Sequence, residues 1–540
     1  MNGVRGGSLK FPGGRHDGDM VLHGTRPVAQ IDLYTIPNMS IRGTCVREHA
    51  SGCTGSDGAL RFAKEMIQGC IYKHLTCGKG DDPALPSRVL YIKEGRVHLY
   101  ETAGERSRYA ALSHCWGGQV QLQTTSENYK EFISEIPWDQ IPKTFQDAIT
   151  FARGLDLGYI WIDSVCIIQD SETDWQTQSA KMKEVYEGAH VTLAATHGAA
   201  SNAGCFATAE WQPHKIAQVQ VGSQLVDLFA RRKWRHLDMT PMNLKAPPDL
   251  LLRRGWAFQE RFLSQRVIHF TRNELIWECN TTTACECGVL VDGRANSPKK
   301  SFRSDSWTTV VNRYSELRLT KAKDRLPALS GIAKTFALEG GNYHAGLWER
   351  DLPYNLCWYA RQPSSKRPKD SGYPSWSWAS TAKSVTMLSL DEFPKESCVR
   401  IQSIQCDLAG EDPHGQVLNG RLIISGELIP ASTCDVSRLN YYRREQVVWL
   451  RFHSAAVELD GEAYFCFWDE PVRSPGRSHS TPVYCMQVVT GWYLVLRCLD
   501  KTSQTYKRIG FLKPDAKPRW VSEEEGGVSA KLPTSTITII

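Results

Sequence analysis

No stretch of this 540-residue chain approaches the 18 or more consecutive apolar residues that a membrane-spanning helix needs, so no membrane span is expected. The first residues lack the apolar centre of a signal peptide. Rich in glycine up to about residue 24, they read as a poorly ordered lead-in to a cytoplasmic protein. There is no Walker A loop, no G-x-G-x-x-G turn, no G-x-S-x-G elbow and no H-E-x-x-H pair, which removes the standard nucleotide-binding, serine-hydrolase and zincin readings. Nor is there a block of one charge. The 64 Lys and Arg are interspersed with 58 Asp and Glu, and a net +6 spread this way describes a solvated surface with no nucleic-acid partner. Small-scaffold cysteine spacing is missing as well. Seventeen cysteines, an odd number, fit free and mostly buried thiols in a reducing compartment.

What is present is a long globular chain. At 540 residues it exceeds one ordinary core, and roughly two to four domains are expected. Residues 1–60 read as a poorly ordered extension, and 61–108 as a helix (60–75) and two short strands, RVLYI (88–92) and RVHLY (96–100). Next come strand YAALSHCW (109–116) and a helix opened by Ile141-Pro142 and stopped by Gly158, with Phe145, Ala148, Ile149, Ala152 and Leu155 on one face. Strand YIWIDSVCII (159–168) follows, then a helix from Asp174, a candidate N-cap, to about Ala189, and strand HVTLAAT (190–196). Strand, helix, strand, helix, strand is the pattern of a parallel sheet with helices on its faces. Residues 271–380 read as a mixed helical extension closing on that core. Beyond 381, RLIISGEL, QVVWLRF, YCMQVV, WYLVLRC and YKRIGFL predict a separate β-rich domain.

One strand fits its own environment poorly. YIWIDSVCIIQD places Asp163, Ser164, Cys166 and Gln169 among β-branched and aromatic residues, and burying a carboxylate without partners is expensive. Asp163 must therefore be paired, stand at the strand's exit, or both. It is a structural hub or part of a site, and the sequence leaves the two even. Gln169-Asp170 reads as the cap of the following helix, and Trp161, Trp175 and Trp256 as core. Gln259-Glu260-Arg261 reads as an internal ion pair or a pocket wall. Trp376 and Trp378, two apart in PSWSWAS, read as one strand face packed against the preceding core. Two Cys/His groups, Cys70-x3-His74-x2-Cys77 and Cys279-x5-Cys285-x-Cys287, lack ordinary zinc-finger spacing, and no metal is expected. Cys115 and Cys166 are weak candidates for a nucleophile, since His114 and Cys115 as strand neighbours point to opposite faces.

Taken in order, LSHCWG (112–117), IPKTFQDAITFARGLDLGYIWIDSVCIIQD (141–170), DWQTQSAKMKEVYEGAHVTLAAT (174–196) and RGWAFQERFLSQRVIHF (254–270) closely resemble the fungal heterokaryon incompatibility (HET) domain, covering 109–270. The positions carrying the resemblance are Ser113, Trp116, Gly117, Trp161, Asp163, Cys166, Gln169, Asp174, Trp175, Tyr186, Trp256, Gln259, Glu260 and Arg261. It implies an α/β fold with a TIR-like (flavodoxin-like) parallel sheet. It also implies a cytoplasmic protein of fungal non-self recognition that induces cell death, working through protein partners or self-association. The remote TIR likeness implies an alternative function, NAD-type nucleotide hydrolysis, with NAD as substrate and no cofactor. Candidate catalytic carboxylates are Asp163, Asp170 and Glu260. Many HET sequences read D-W-x-x-E at the second helix; this chain has Asp174, Trp175 and then Gln178, which weakens the hydrolase reading for this copy.

Overall fold

A computed structural model of the protein describes residues 8–10, 19–23, 27–36, 45–46, 49–118, 122–210, 213–221, 223–232, 236, 250–290, 306–361, 372–393, 396–434, 449–452, 464–469, 482–512 and 534–540. The chain divides into two compact units, Met1–Ser304 and Asp305–Ile540. The boundary between them falls within the 271–380 stretch.

The first unit is built on an eight-stranded mixed sheet. Its strands are β1 (Arg88–Tyr91), β2 (His98–Glu101), β3 (Ala110–Ser113), β4 (Tyr159–Trp161), β5 (Val191–Ala194), β6 (Arg266–Phe270), β7 (Leu275–Cys279) and β8 (Thr283–Cys285). They lie in the order β8-β7-β6-β5-β3-β4-β1-β2. The centre is parallel. Ala110 of β3 faces Ile160 of β4 on one side and Val191 of β5 on the other, and β6 runs parallel to β5. The outer strands are antiparallel, β1 against β4 and β7 against β6. Every residue of β3, β5 and β6 is buried, as two-sided cover by helices demands of parallel strands.

The helices of this unit are α1 (Asp57–Lys73), α2 (Lys143–Gly154), α3 (Asp163–Cys166), α4 (Glu172–Ala180), α5 (Met182–Gly188) and α6 (Gly255–Leu263). Helix α2 turns Phe145, Ala148, Ile149 and Ala152 inward, as its periodicity predicts. It stops earlier than Gly158, because Asp156 takes a left-handed turn at φ +62°. The helix expected over 174–189 is broken into α4 and α5 at Lys181. Ser171, not Asp174 or Gln169-Asp170, caps it, its hydroxyl accepting the Asp174 N–H at 3.2 Å.

The largest departure concerns residues 159–168, where only Tyr159–Trp161 is strand. From Ile162 the backbone coils into one helical turn, closed by Cys166 N–H to Ile162 O at 2.8 Å and Ile167 N–H to Asp163 O at 3.2 Å. Asp163, Ser164 and Cys166 looked misplaced in a strand because they are not in one.

The lead-in expected to be disordered contributes strands instead. Asp19–His23, Pro27–Thr35 and Cys45–Val46 join Ser8–Lys10 and the hairpin His214–Val221/Gln224–Arg232 in a second sheet. Pairing with this distant hairpin satisfies backbone groups that the segment's composition could not bury alone.

The second unit carries α7 (Trp307–Tyr314), α8 (Pro327–Gly340) and a β-rich sheet. Strands β9 (Arg400–Leu408), β10 (Val417–Cys434), β11 (Trp449–Phe452), β12 (Tyr464–Trp468), β13 (Pro482–Val489), β14 (Trp492–Asp500), β15 (Thr505–Leu512) and β16 (Thr534–Ile539) form it. The path β10-β11-β12-β15-β14-β13 returns to β10, so the six strands pair in a closed ring without free edges between them. Trp376 and Trp378 are not on a strand. Trp378 opens a short 3-10 turn, and both indoles are buried within this second unit. The Gly346 carbonyl accepts both the Trp307 and Trp378 indole N–H groups, at 3.0 and 2.8 Å. A Cβ at Gly346 would stand 2.5 Å from the Trp378 nitrogen, and its φ of +97° also demands glycine.

Candidate active site

The parallel strands β3 and β4 end side by side, and their exits carry a cluster of polar and charged side chains. Ser113 is the last residue of β3; His114, Cys115 and Trp116 follow it into a turn made at Gly117, where φ is +80° and a Cβ would meet Ala200 at 2.5 Å. Asp163 opens the helical turn after β4. One carboxylate oxygen accepts the Ser164 N–H at 2.7 Å, and the other accepts the Trp116 indole N–H at 2.8 Å. The carboxylate still reaches solvent, with 22% of its side chain exposed. Glu260 enters from α6, buried, and accepts the Ser113 hydroxyl. Tyr186 of α5 is buried beside it and donates to the Leu112 carbonyl at 3.2 Å.

These surroundings set the charges. Burial, followed by the Asp163 carboxylate nearby, pushes Glu260 up to about 7, while the Ser113 hydroxyl, Arg254 and Tyr186 pull the other way. His114 is held down at about 4 by burial, opposed by Asp163, so its ring is neutral at pH 7. Its Nδ1 lies 3.8 Å from the Asp163 carboxylate. Arg254 donates to the His114 carbonyl and ties the start of α6 to the end of β3.

A nucleophilic cysteine does not emerge. Burial pushes the Cys166 thiol up to about 12 and raises Cys115 as well, so neither is poised as a thiolate.

Of the resemblance positions, Ser113, Trp116, Asp163, Tyr186 and Glu260 converge. Gln169 supports them, its amide donating to the Asp163 and Ile167 carbonyls at 3.1 and 3.0 Å. Asp170 stands apart. It is exposed and accepts the Ser126 N–H at 2.9 Å, fixing the 122–126 loop. Asp174 pairs with Arg88, which also donates to the Cys166 carbonyl at 2.8 Å, an anchor that RVLYI did not advertise. Glu260 and Arg261 do not pair with each other. Arg261 makes two bonds to Glu278, at 2.7 and 3.0 Å, because helical neighbours diverge. Gln259 is buried in the same helix, and Trp161 is core as expected.

Trp175 and Trp256 are only half-buried, against the expectation of core. Their rings meet edge to face at 6.5 Å, with Trp256 one helical turn before Glu260. Gln178 is buried in α4. The carboxylate at the strand exits comes from α6, not from position 178.

Two residues of this cluster escape sequence reasoning. The sequence offers His114 only as a base for Cys115, and Arg254 only as the first residue of RGWAFQERF. The signal for Arg254 was its place in RGWAFQERF with Glu260, two helical turns apart at most.

Two Cys/His groups also gather elsewhere in this unit: Cys70, His74, Cys77 and Cys279, and His236, Glu274, Cys285 and Cys287. In the second, His236 bonds Glu274 at 2.7 Å and Cys287 at 3.3 Å.

Residues 109–260 match the family described as heterokaryon incompatibility protein (HET). No curated protein and no solved structure matches it. The matched span begins with β3 and closes on Glu260, so it encloses every residue of the cluster.

Asp163 is both anchor and exposed charge, and two substitutions separate these roles. Asp163→Ala is expected to strip acceptors from Trp116 and Ser164 and to destabilise by about 1–3 kcal/mol. Asp163→Asn keeps one carbonyl oxygen, so its thermal melt should lie closer to wild type. If the charge acts on a substrate, both variants lose activity alike. An Asn variant with full activity would leave Asp163 as an anchor alone.

Proposed function

We propose that this chain acts in fungal vegetative incompatibility as a cytosolic, cell-death-inducing module, and that its output is hydrolysis of the N-glycosidic bond of a nucleotide such as NAD. The observation carrying this reading is the pair Asp163 and Glu260 at the exits of parallel strands, one solvent-reaching and hydrogen-bonded, the other buried and raised to about 7. A buried carboxyl raised to about 7 can exchange a proton near neutrality, the usual means of general acid–base work.

The order β4-β3-β5-β6 of the parallel strands supports a TIR-like (flavodoxin-like) fold, in which ligands bind at the carboxyl ends where strand order reverses. Strand β7 departs from that pattern by running antiparallel. Half-buried Trp175 and Trp256 offer aromatic surface for a base beside Glu260.

In this reading the glycosidic bond breaks with its electrons going to nicotinamide, which leaves neutral and needs no proton. The Asp163 carboxylate offsets the positive charge left on the ribose. Water held at Ser113 then adds to the sugar, its proton passing to Glu260 through the Ser113 hydroxyl. The D-W-x-x-E motif's missing glutamate at Gln178 is no obstacle to a centre built on Glu260.

The hairpin His214–Val221/Gln224–Arg232 exposes Ile216, Val221 and Leu225 and favours a protein partner or self-association as part of the response. Among the described residues no helix is long and apolar enough to cross a membrane.

Inducible expression of the full chain in several fungal backgrounds, with viability and NAD followed together, tests the proposal. Growth arrest with falling NAD is the expected result. Arrest with constant NAD would leave signalling without hydrolysis, and unchanged growth with soluble protein would contradict the killing role.

A further inference from the structure

We propose that Cys70, His74, Cys77 and Cys279 form a structural zinc site that fastens the N-terminal helix to the edge of the HET sheet. The four ligand atoms lie within 4.8 Å of one another although the residues come from opposite ends of the unit. Helix α1 ends at Lys73. Cys70 lies in its last turn, His74 caps it, and Cys77 closes the short 3-10 turn that follows. Cys279 is the last residue of β7. Ligands at i, i+4 and i+7 across a helix end thus face a fourth from a strand end.

The spacing fits a tetrahedral ion. Zinc–sulfur bonds of about 2.3 Å and zinc–nitrogen bonds of about 2.0–2.1 Å place tetrahedral ligand atoms about 3.6–3.8 Å apart. The Cys279 sulfur and His74 Nδ1 are 3.4 Å apart. All three cysteines are buried, with relative exposures of 1%, 0% and 0% for Cys70, Cys77 and Cys279.

The sulfurs are also dressed as metal-bound thiolates are. The Thr281 and Thr282 backbone N–H groups both point at the Cys279 sulfur, at 3.4 and 3.3 Å, and the Thr281 hydroxyl lies 3.5 Å from the Cys77 sulfur. A disulfide would use two of the thiols and leave the third thiol and the imidazole converging on nothing. Three thiolates and an imidazole in a closed set select zinc and leave no open position for catalysis.

The site's consequence is mechanical. Arg266 of β6 donates to the Cys77 and Gly78 carbonyls at 2.6 and 2.8 Å, and β7 carries Glu278, the partner of Arg261 on α6. Fixing the end of β7 therefore steadies the helix that presents Glu260.

The test is metal analysis of the full chain purified under reducing conditions without chelator, with Zn²⁺ alone added back to any metal-free sample. The expected result is that Cys77→Ser and Cys279→Ser each lose one zinc per chain relative to wild type. Because those variants could fail to fold, His74→Cys supplies a second arm at a half-exposed ligand. It should keep its zinc, and X-ray absorption should show one nitrogen replaced by one sulfur. Unchanged zinc content in a soluble Cys77→Ser protein, a zinc shell indifferent to His74→Cys, or a wild-type chain that stays metal-free with Zn²⁺ would each overturn the assignment.

Discussion

Glu260→Gln is expected to make the protein more stable at alkaline pH while sharply lowering the proposed nucleotide hydrolysis. The buried carboxyl is raised from 4.5 to about 7, so the folded state holds its proton where the unfolded chain has released it. The stability it contributes is present in full below 4.5 and is lost as pH rises through about 7, a loss of about 3 kcal/mol. Glutamine has no proton to lose and can still accept the Ser113 hydroxyl. At pH 5 the two proteins should unfold at similar denaturant concentrations, and at pH 8 the variant should be the more stable. Activity should fall by roughly 10²- to 10⁴-fold, the usual contribution of a general base. Urea unfolding at the two pH values checks the first statement. Equal stabilities at pH 8 would mean that Glu260 ionises without penalty and is not poised as described.

In the second unit the largest loss is expected at Arg508, which is fully buried in β15. Its Nε donates to Asp469 at 3.0 Å, one terminal nitrogen to the Leu356 carbonyl at 2.6 Å and the other to the Trp358 carbonyl. The guanidinium also lies 3.6 Å from the centre of the Trp358 ring. It therefore ties the β ring to the tryptophan-rich segment before it. Arg508→Met removes the cation but leaves Asp469 buried as a charge and two carbonyls without their donor. A loss of about 3–5 kcal/mol is expected. Adding Asp469→Leu should recover part of that loss, since an apolar pair in place of a buried ion pair is often neutral or better. The urea midpoint of this unit, followed by tryptophan fluorescence, reads both. A loss below about 1 kcal/mol for Arg508→Met would place the pair at an exposed surface.

The alternation of strands and helices from 109 to 196 was legible because apolar period and turn residues agree there. Ala110–Ser113, Lys143–Gly154 and Val191–Ala194 fall inside the expected ranges. The YIWIDSVCII strand was overextended because Val165, Ile167 and Ile168 are β-formers locally. What ends the strand is the Asp163 carboxylate binding the next N–H, which no propensity counts. Asp163 and Glu260 were both named from the sequence, but their convergence depends on α6 returning across the sheet from a motif about a hundred residues later. Arg254 and His114 stayed hidden for the same reason, as did the meeting of Cys279 with Cys70, His74 and Cys77. Spacing along the chain carries no signal for ligands supplied by a helix end and a distant strand end. The half-exposure of Trp175 and Trp256 was likewise invisible, since an indole in a helix reads as core until its neighbours are placed.

Whether the strand-exit cluster hydrolyses a nucleotide is decided by nicotinamide release from NAD by the purified full chain, followed across pH. Release should rise as pH passes through about 7, where Glu260 gives up its proton, and should disappear in Glu260→Gln although the variant remains folded. No release from well-folded wild-type protein, or a Glu260→Gln variant with an unchanged pH profile, would contradict hydrolysis at this cluster.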